Sequence, residues 1–363
     1  GESDVLRRLM SGKKAKGDTF EQLRDKYFKN CRERGYSDEL AKEVWRQMES
    51  FAGYSFCKAH SASFAVESFQ SLYLKTHFPH EFIVAVINNG GGFYRAEYYF
   101  HEARIQGAQL HAPCVNRSRT ATTLHGRDIY VGFGHILGFE QAHAKRLVAE
   151  RELGGPFRDM IDFLKRVPLP NTQCDLLIRV GALRFTGRSK YALLWAKNAW
   201  LGSSGNGGDN QGDLFLSAEP NFELPALPDD PLDQSFDELE LLGFTLSSPF
   251  ALLREPERYA HCLMTADLVD RAGQMVEIIG YYVCAKSLRT RKGRPMQFGT
   301  WVDRSGRFFD SVHFPDVLQH TPIRGPGIYL LRGRVTLDFD FPQLEVSELE
   351  LLPMVKDGRY GDE

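Results

Sequence analysis

The chain has 363 residues, of which 42% are hydrophobic and 12% aromatic, so it can form cores in two or three domains and is not globally disordered. It contains no run of about 18 uncharged apolar residues and no signal-peptide pattern, so we expect no membrane span and no secretion. The six cysteines are widely spaced without a C-x-x-C pair, which predicts free thiols in the cytoplasm and gives no zinc signature.

Charge is unevenly distributed along the chain. Residues 117–200 contain 14 Lys/Arg against 7 Asp/Glu, whereas residues 201–260 contain 2 against 12, a net charge of −10. Basic blocks joined by an acidic connector are typical of proteins that bind polyanions. The alternative is the ordinary drift of charge along a long chain.

Apolar residues at helical spacing predict helices in the first third of the chain. Residues 19–50 predict two helices, because Gly35 ends the first and Ser37 caps the second. Residues 61–88 predict a long helix interrupted near a proline, and residues 95–107 predict a helix closed by a glycine.

The residue pattern of the rest of the chain changes twice. A short strand pair is predicted near residues 122–133, and short helices with glycine turns follow up to residue 200. Residues 201–236 have the composition of a linker, and residues 237–270 predict one or two helices. From residue 274 onward, β-branched and aromatic residues alternate in five or six short segments, which predicts a small closed barrel of the OB type.

Cations near the N-terminus form two groups, which are the stretch VLRRLMSGKK and the turn that holds Lys58 and His60. Fixed cations stabilise the charge that develops on a leaving triphosphate during nucleotidyl transfer. A solvated basic helix end is the simpler explanation of the first group, but an apolar, glycine-bearing turn is an unusual place for Lys58 and His60.

The stretch GESDVLRRLMSGKK, followed by FAGYSFCKAHSASFAVESFQSLYLKTHFPHEF, resembles the fingers region of the bacterial DNA polymerase III α subunit, a C-family DNA polymerase. The resemblance extends over nearly the whole chain and implies a multi-domain α+β protein. The implied parts are helical fingers at 1–116, a tandem helix-hairpin-helix DNA-binding region at 117–200, an acidic flexible linker with a clamp-binding peptide at 201–236, a helical connector at 237–272, an OB-fold domain at 273–354 and a tail at 355–363.

The resemblance implies that this chain contacts the incoming dNTP through Arg7, Arg8, Lys58 and His60. Cys57 stands where the family usually has Asn. The aspartates that hold two Mg²⁺ ions in the family lie upstream in a P-D-x-D type motif, which this sequence does not contain. We therefore expect the C-terminal part of a Mg²⁺-dependent DNA-directed DNA polymerase, with no catalytic residue, metal or cofactor of its own and no activity alone.

The middle region resembles tandem helix-hairpin-helix motifs, whose glycine N–H groups bind DNA phosphates without base contacts. In the first hairpin, residues 132–140, Leu137 replaces a cation and Glu140 replaces a glycine, which predicts that this hairpin either binds phosphate weakly or is purely structural. The second hairpin is the better candidate for primer-template DNA. Its matching residues are Gly181, Gly187, Arg188 and Lys190.

On the predicted barrel, several cations share one hairpin near Phe298 and Trp301. Cations beside aromatic rings suit single-stranded DNA, although a polar hairpin tip above core aromatics explains the pattern similarly well. The family resemblance favours binding of single-stranded template DNA. The residues assigned to it are Lys286, Arg289, Arg291 and Lys292.

The linker contains QGDLF, in which an apolar pair either packs back on its own domain or binds another protein. QGDLF resembles the pentapeptide by which bacterial polymerases bind the β sliding clamp. The resemblance implies that Leu214 and Phe215 fill a pocket of the clamp, Gln211 hydrogen-bonds at its rim and Asp213 orients the peptide.

The expected function is therefore DNA-templated DNA synthesis by a replicative or an error-prone polymerase. This chain would contribute the nucleotide, duplex, clamp and single-strand contacts. The alternative is a non-catalytic DNA-binding or scaffold protein that contains the same modules.

Overall fold

A computed structural model describes residues 18–50, 58–204, 230–290 and 292–360 of the protein. The chain has two compact units, Gly1–His77 and Phe78–Glu363. No helix of the described ranges is long and apolar enough to cross a membrane. Several predicted site residues lie outside the described residues, and they are Arg7, Arg8, Gln211, Asp213, Leu214, Phe215 and Arg291.

The first unit is helical in its described part. Its helices are α1 (Asp18–Glu33), α2 (Asp38–Ser50) and α3 (Lys58–His77). α1 and α2 pack around Trp45, whose ring centroid lies 5.2 Å from that of Tyr27. The Ser37 Oγ accepts a hydrogen bond from the Leu40 N–H at 3.2 Å, so the predicted helix cap is confirmed. α3 is exposed along residues 59–77.

The second unit begins with helices around a small sheet. The helices are α4 (Pro79–Asn88), α5 (Ala96–Ile105), α6 (Gln141–Gly154), α7 (Met160–Arg166), α8 (Asn171–Arg179), α9 (Lys190–Ser204) and α10 (Pro231–Leu242). The strands are β1 (Gln109–His111), β2 (Thr123–His125) and β3 (Asp128–Tyr130), with β3 in the centre. One core joins all of these elements, and Phe100, Phe133 and Leu177 are among its buried residues.

The start of one helix differs from the sequence-based expectation. α10 begins at Pro231, inside the stretch predicted as linker, because Asp230 accepts a hydrogen bond from the Leu232 N–H and the proline fits the first helical position. One α-helix of the predicted one or two is therefore present, and residues 249–271 form short 3₁₀ turns. Leu241 and Phe244 pack in the helical core, so the connector is part of that core.

The C-terminal part forms a closed barrel with strand order β4-β5-β6-β8-β7. Its elements are β4 (Met275–Arg289), β5 (Pro295–Val302), β6 (Phe308–His313), α11 (Pro315–His320), β7 (Ile328–Asp338) and β8 (Phe341–Leu351). β6 and β8 pair in parallel, and the other neighbours are antiparallel. The predicted α+β fold, with its helical regions and OB-type barrel, is confirmed.

The first barrel strand closes the sheet by pairing with two neighbours. Residues of β4 up to Tyr281 pair with β7, and residues from Tyr281 onward pair with β5. Gly280 lies at this crossover, where a Cβ atom would come within 2.8 Å of the Phe309 ring. A glycine is therefore required there for Phe309 and Trp301 to fill the barrel.

Candidate nucleic-acid interface

The second hairpin lies between α8 and α9 and is shaped by two glycines. Gly181 is buried and has φ +82°, and the Ala182 N–H next to it donates to the Leu177 carbonyl at 2.8 Å. Gly181 therefore ends α8 rather than presenting an open surface. Gly187, with φ +70°, is exposed at the other end of the hairpin.

The exposed end of this hairpin leads directly into α9. The Ser189 Oγ accepts a hydrogen bond from the Ala192 N–H at 3.2 Å and so caps the helix. The half-buried Arg188 lies between this cap and Gly187, and its N–H donates to the Thr186 Oγ1 at 3.4 Å. Gly187, Arg188 and the N-terminus of α9 are thus neighbours, and a helix N-terminus is a place where backbone N–H groups and the helix dipole favour an anion.

Lys190 belongs to a different environment. Its side chain is only 12% exposed, and its Nζ donates to the Asp237 Oδ2 at 2.7 Å. Asp237, on α10, is fully buried. The ammonium group of Lys190 is therefore paired with a carboxylate of the acidic connector, a partner that the sequence did not reveal.

Two guanidinium groups complete the environment of this carboxylate. The Asp237 Oδ1 accepts hydrogen bonds from the Arg179 Nε at 2.9 Å and from the Arg359 Nη1 at 2.8 Å. Burial by itself raises the pKa of Asp237, but hydrogen bonds from the three cations outweigh it and hold the pKa below its ordinary value of 3.8. This group, which we call the Asp237 cluster, joins the second hairpin, α10 and the segment after the barrel.

The acidic residues of α10 also pair with other cations of the hairpin region. Glu240 pairs with Arg179, and Glu238 lies 3.8 Å from Arg184. Asp233 accepts a hydrogen bond from the Tyr191 hydroxyl. Part of the negative charge counted in the connector is therefore neutralised by cations of the same fold.

The first hairpin is held by Gln173 of α8. The Gln173 side chain is 8% exposed, donates to the Gly138 carbonyl at 2.9 Å and accepts from the Glu140 N–H at 2.9 Å. The Glu140 carboxylate lies 3.5 Å from the His143 ring, and Leu137 is 59% exposed. The Glu140 N–H is thus already bonded, and a carboxylate lies at the start of α6, which fits the prediction of a structural hairpin.

The barrel places the predicted single-strand residues at the tip of the β4–β5 hairpin. Lys286, Arg289 and Lys292 are exposed, and the Arg289 Nη1 donates to the Gly293 carbonyl at 3.0 Å. Phe298 pairs with Lys286 across the strands and is 38% exposed. Trp301 is fully buried and donates to the Ser311 Oγ at 2.6 Å, so its ring belongs to the core.

Sequence reasoning missed an exposed apolar tip on the β7–β8 hairpin. Phe339 is fully exposed and Phe341 is 57% exposed, and both Phe339 and Asp340 have positive φ angles. The alternation FDF at a hairpin turn was the available signal.

Of the predicted nucleotide contacts, Lys58 and His60 lie in the described part of the chain, and His60 is the one whose side chain is described. It occupies the first turn of α3, is exposed, and packs edge-on against Phe64 at 4.5 Å between ring centroids. Lys58 is the first residue of the same helix.

Two glycine turns beside helix N-termini, followed by an OB-type barrel, define the class of multi-domain nucleic-acid-binding proteins. In agreement, the family described as "Helix-hairpin-helix motif" matches residues 107–193.

Curated relatives extend the match beyond this region. The chain is 30% identical over 378 residues to the DNA polymerase III subunit alpha of Pasteurella multocida, covering 98% of this chain and 32% of that protein. It is 28% identical over 359 residues to the corresponding subunit of Staphylococcus epidermidis, covering 96% and 33%. An error-prone DNA polymerase of Mycobacterium bovis is 31% identical over 271 residues, covering 74% and 23%.

The resemblance to bacterial DNA polymerase III α subunits is thereby confirmed. The chain is a homologue of these proteins along nearly its whole length, and it spans about one third of the length of the P. multocida and S. epidermidis subunits.

Proposed function

We propose that the chain is the DNA-binding and partner-binding portion of a C-family DNA polymerase. The observation that carries this proposal is the homology over 98% of the chain to a polymerase subunit, in a fold that joins a helix-hairpin-helix region to an OB-type barrel. Templated DNA synthesis with Mg²⁺ would belong to the longer protein, whose carboxylates would hold the ions.

Duplex DNA would bind at the second hairpin. Its exposed end offers Gly187, Arg188 and the N-terminus of α9, which together can bind a backbone phosphate without reading the base sequence. Lys190 would contribute indirectly, because its pairing with Asp237 anchors the first turn of α9 to α10. Gly181 would shape the hairpin from within the fold.

Single-stranded template would bind at the β4–β5 hairpin of the barrel. Lys286, Arg289 and Lys292 provide exposed positive charge, and Phe298 provides a partly exposed ring for base stacking. OB folds bind oligonucleotides through this hairpin, the neighbouring strands and the hairpin that here carries Phe339. Arg291 would add to the same surface.

The remaining contacts rest on the resemblance alone. Arg7, Arg8, Lys58 and His60 would contact the incoming dNTP, since cations of this kind neutralise triphosphate oxygens. QGDLF would bind a sliding clamp through Leu214 and Phe215, with Gln211 and Asp213 orienting the peptide.

Fluorescence anisotropy with a labelled duplex over a range of salt concentrations tests the duplex site. Arg188→Glu should weaken binding and reduce the slope of log affinity against log salt by about one or more, because a phosphate contact is lost and a repulsive charge is added. Arg271→Glu is the matched control, because it makes the same charge reversal at an exposed arginine outside the hairpin. Equal effects of the two variants would show that the second hairpin is not the duplex site.

A labelled single strand tests the barrel site separately. Lys286→Glu with Lys292→Glu should weaken single-strand binding more than duplex binding, whereas Arg188→Glu should do the reverse. If both DNA forms respond in the same way to both variants, the assignment of separate surfaces is wrong.

A further inference from the structure

We propose that His261, Cys262 and Glu277 form a binding site for a divalent transition metal, Zn²⁺ in particular, on the outside of the barrel. The ring nitrogen, the thiol sulfur and a carboxylate oxygen of these residues all lie within 4.8 Å of one another. This site goes beyond the DNA contacts proposed above and does not depend on them.

The distances between the donor atoms suit a tetrahedral site. The His261 Nε2 lies 2.8 Å from the Glu277 Oε2 and 3.8 Å from the Cys262 Sγ. Tetrahedral zinc with bonds of about 2.1 Å to N or O and 2.3 Å to S separates such ligands by about 3.4 and 3.6 Å. Shifts of a fraction of an ångström, available to the exposed His261 ring, would therefore form the site.

The backbone already holds the two halves of the site together. His261 and Cys262 precede the barrel, and Glu277 lies on β4. Between them, the Leu263 N–H donates to the Glu277 carbonyl at 2.9 Å, and Leu263 forms a β-bridge with Ile278. The ordering of the ligands is thus achieved by the fold before a metal binds, which favours affinity.

The donor set selects the kind of metal. A thiolate and an imidazole bind borderline-soft ions such as Zn²⁺, whereas Mg²⁺ and Ca²⁺ prefer oxygen ligands alone. His261 is exposed, so water can occupy the fourth position. The bound ion would fasten the segment before the barrel to β4.

The neighbouring charges permit a metal at this place. Arg332 binds the other oxygen of the carboxylate, Glu277 Oε1, at 2.6 Å and also binds Glu348 at 2.9 Å. The Oε2 atom therefore faces His261 and Cys262 while Arg332 orients the carboxylate, as outer-shell groups do at metal sites. The competing interpretation is an ion network of His261, Glu277, Arg332 and Glu348 that binds no metal.

Co²⁺ titration of the reduced, metal-free chain tests the proposal, because a thiolate bound to Co²⁺ has a charge-transfer absorption band. We expect one equivalent to bind with this band, and Zn²⁺ to displace it. Cys262→Ala should abolish the band, and His261→Gln should weaken Zn²⁺ binding by about tenfold or more. Cys284→Ser, which removes a thiol of β4 outside the proposed site, should bind Co²⁺ and Zn²⁺ like the parent chain.

Thermal melting separates loss of the site from loss of the fold. His261 is exposed, so His261→Gln should fold normally and lose only the rise in melting temperature that Zn²⁺ causes in the parent. The absence of a charge-transfer band in the parent chain, or an unchanged Zn²⁺ affinity in His261→Gln and Cys262→Ala, would overturn the proposal and leave the ion network as the explanation.

Discussion

Replacing Asp237 by asparagine removes the charge of the Asp237 cluster while nearly conserving its volume. The carboxylate is fully buried and contacts Lys190 at 2.7 Å, Arg359 at 2.8 Å and Arg179 at 2.9 Å. In Asp237→Asn, Arg179 keeps Glu240 as a partner and Arg359 keeps Asp357. Lys190, which is 12% exposed, loses its carboxylate and faces an amide that cannot accept equally well.

The cost follows from the single cation left without a carboxylate. Breaking a buried ion pair by removing one partner costs about 3–5 kcal/mol, and we expect the lower end because two of the three cations retain other partners. At about 2 °C per kcal/mol for a unit of this size, the melting temperature should fall by about 6 °C. Differential scanning calorimetry measures this shift, and Asp270→Asn, at an exposed position, is the matched control.

A second substitution identifies the responsible cation. Lys190→Met in the Asp237→Asn background removes the unpaired charge, so the double variant should be more stable than Asp237→Asn alone. The Lys190–Asp237 pair would not be a principal contact of α9 with α10 if the double variant were less stable than Asp237→Asn by the full cost of Lys190→Met alone. A fall of less than 1 °C in the melting temperature of Asp237→Asn would lead to the same conclusion.

The other predictions concern single sites. Burial lowers the pKa of His313 from 6.5 to about 4, so the unfolded chain binds the proton first as pH falls, and the free energy of unfolding should decrease by ~3 kcal/mol between pH 6.5 and 4. The free energy of unfolding of the parent and of His313→Gln, measured over this pH range, tests this loss, and parallel stability-versus-pH curves would contradict it. Gln173→Leu should leave the Gly138 carbonyl and the Glu140 N–H of the first hairpin unpaired and lower the free energy of unfolding by about 2 kcal/mol, with faster amide hydrogen exchange at Glu140 as the readout. Unchanged exchange at Glu140 would show that Gln173 does not hold this hairpin. Leu214→Ala with Phe215→Ala should lower sliding-clamp affinity by two or more decades at unchanged melting temperature, since each buried anchor contributes about 1.5–3 kcal/mol; unchanged clamp affinity in a titration would exclude docking through QGDLF.

The sequence by itself determined the features that depend on local patterns. Alternation of apolar and polar residues predicts strands because side chains point to opposite faces of a sheet, and all five barrel strands lie where this pattern occurs. The cap at Ser37 follows from the hydroxyl at the start of a helical pattern. The motif resemblance pointed to the polymerase family, which the curated relatives support.

Only the tertiary structure decided how the charged and aromatic side chains are used. Lys190 matched a phosphate-binding motif, yet its partner is Asp237, 47 residues later on a helix that begins inside the predicted linker. The sequence left it open whether Phe298 and Trp301 stack on bases or fill the core, and the fold buries Trp301 fully in the barrel while Phe298, three residues earlier on the same strand, stays partly exposed. His261 and Glu277 meet only because a backbone bridge places the segment before the barrel against β4. Such contacts depend on which surfaces pack together, and ion pairs between distant segments leave no periodic signal in the sequence.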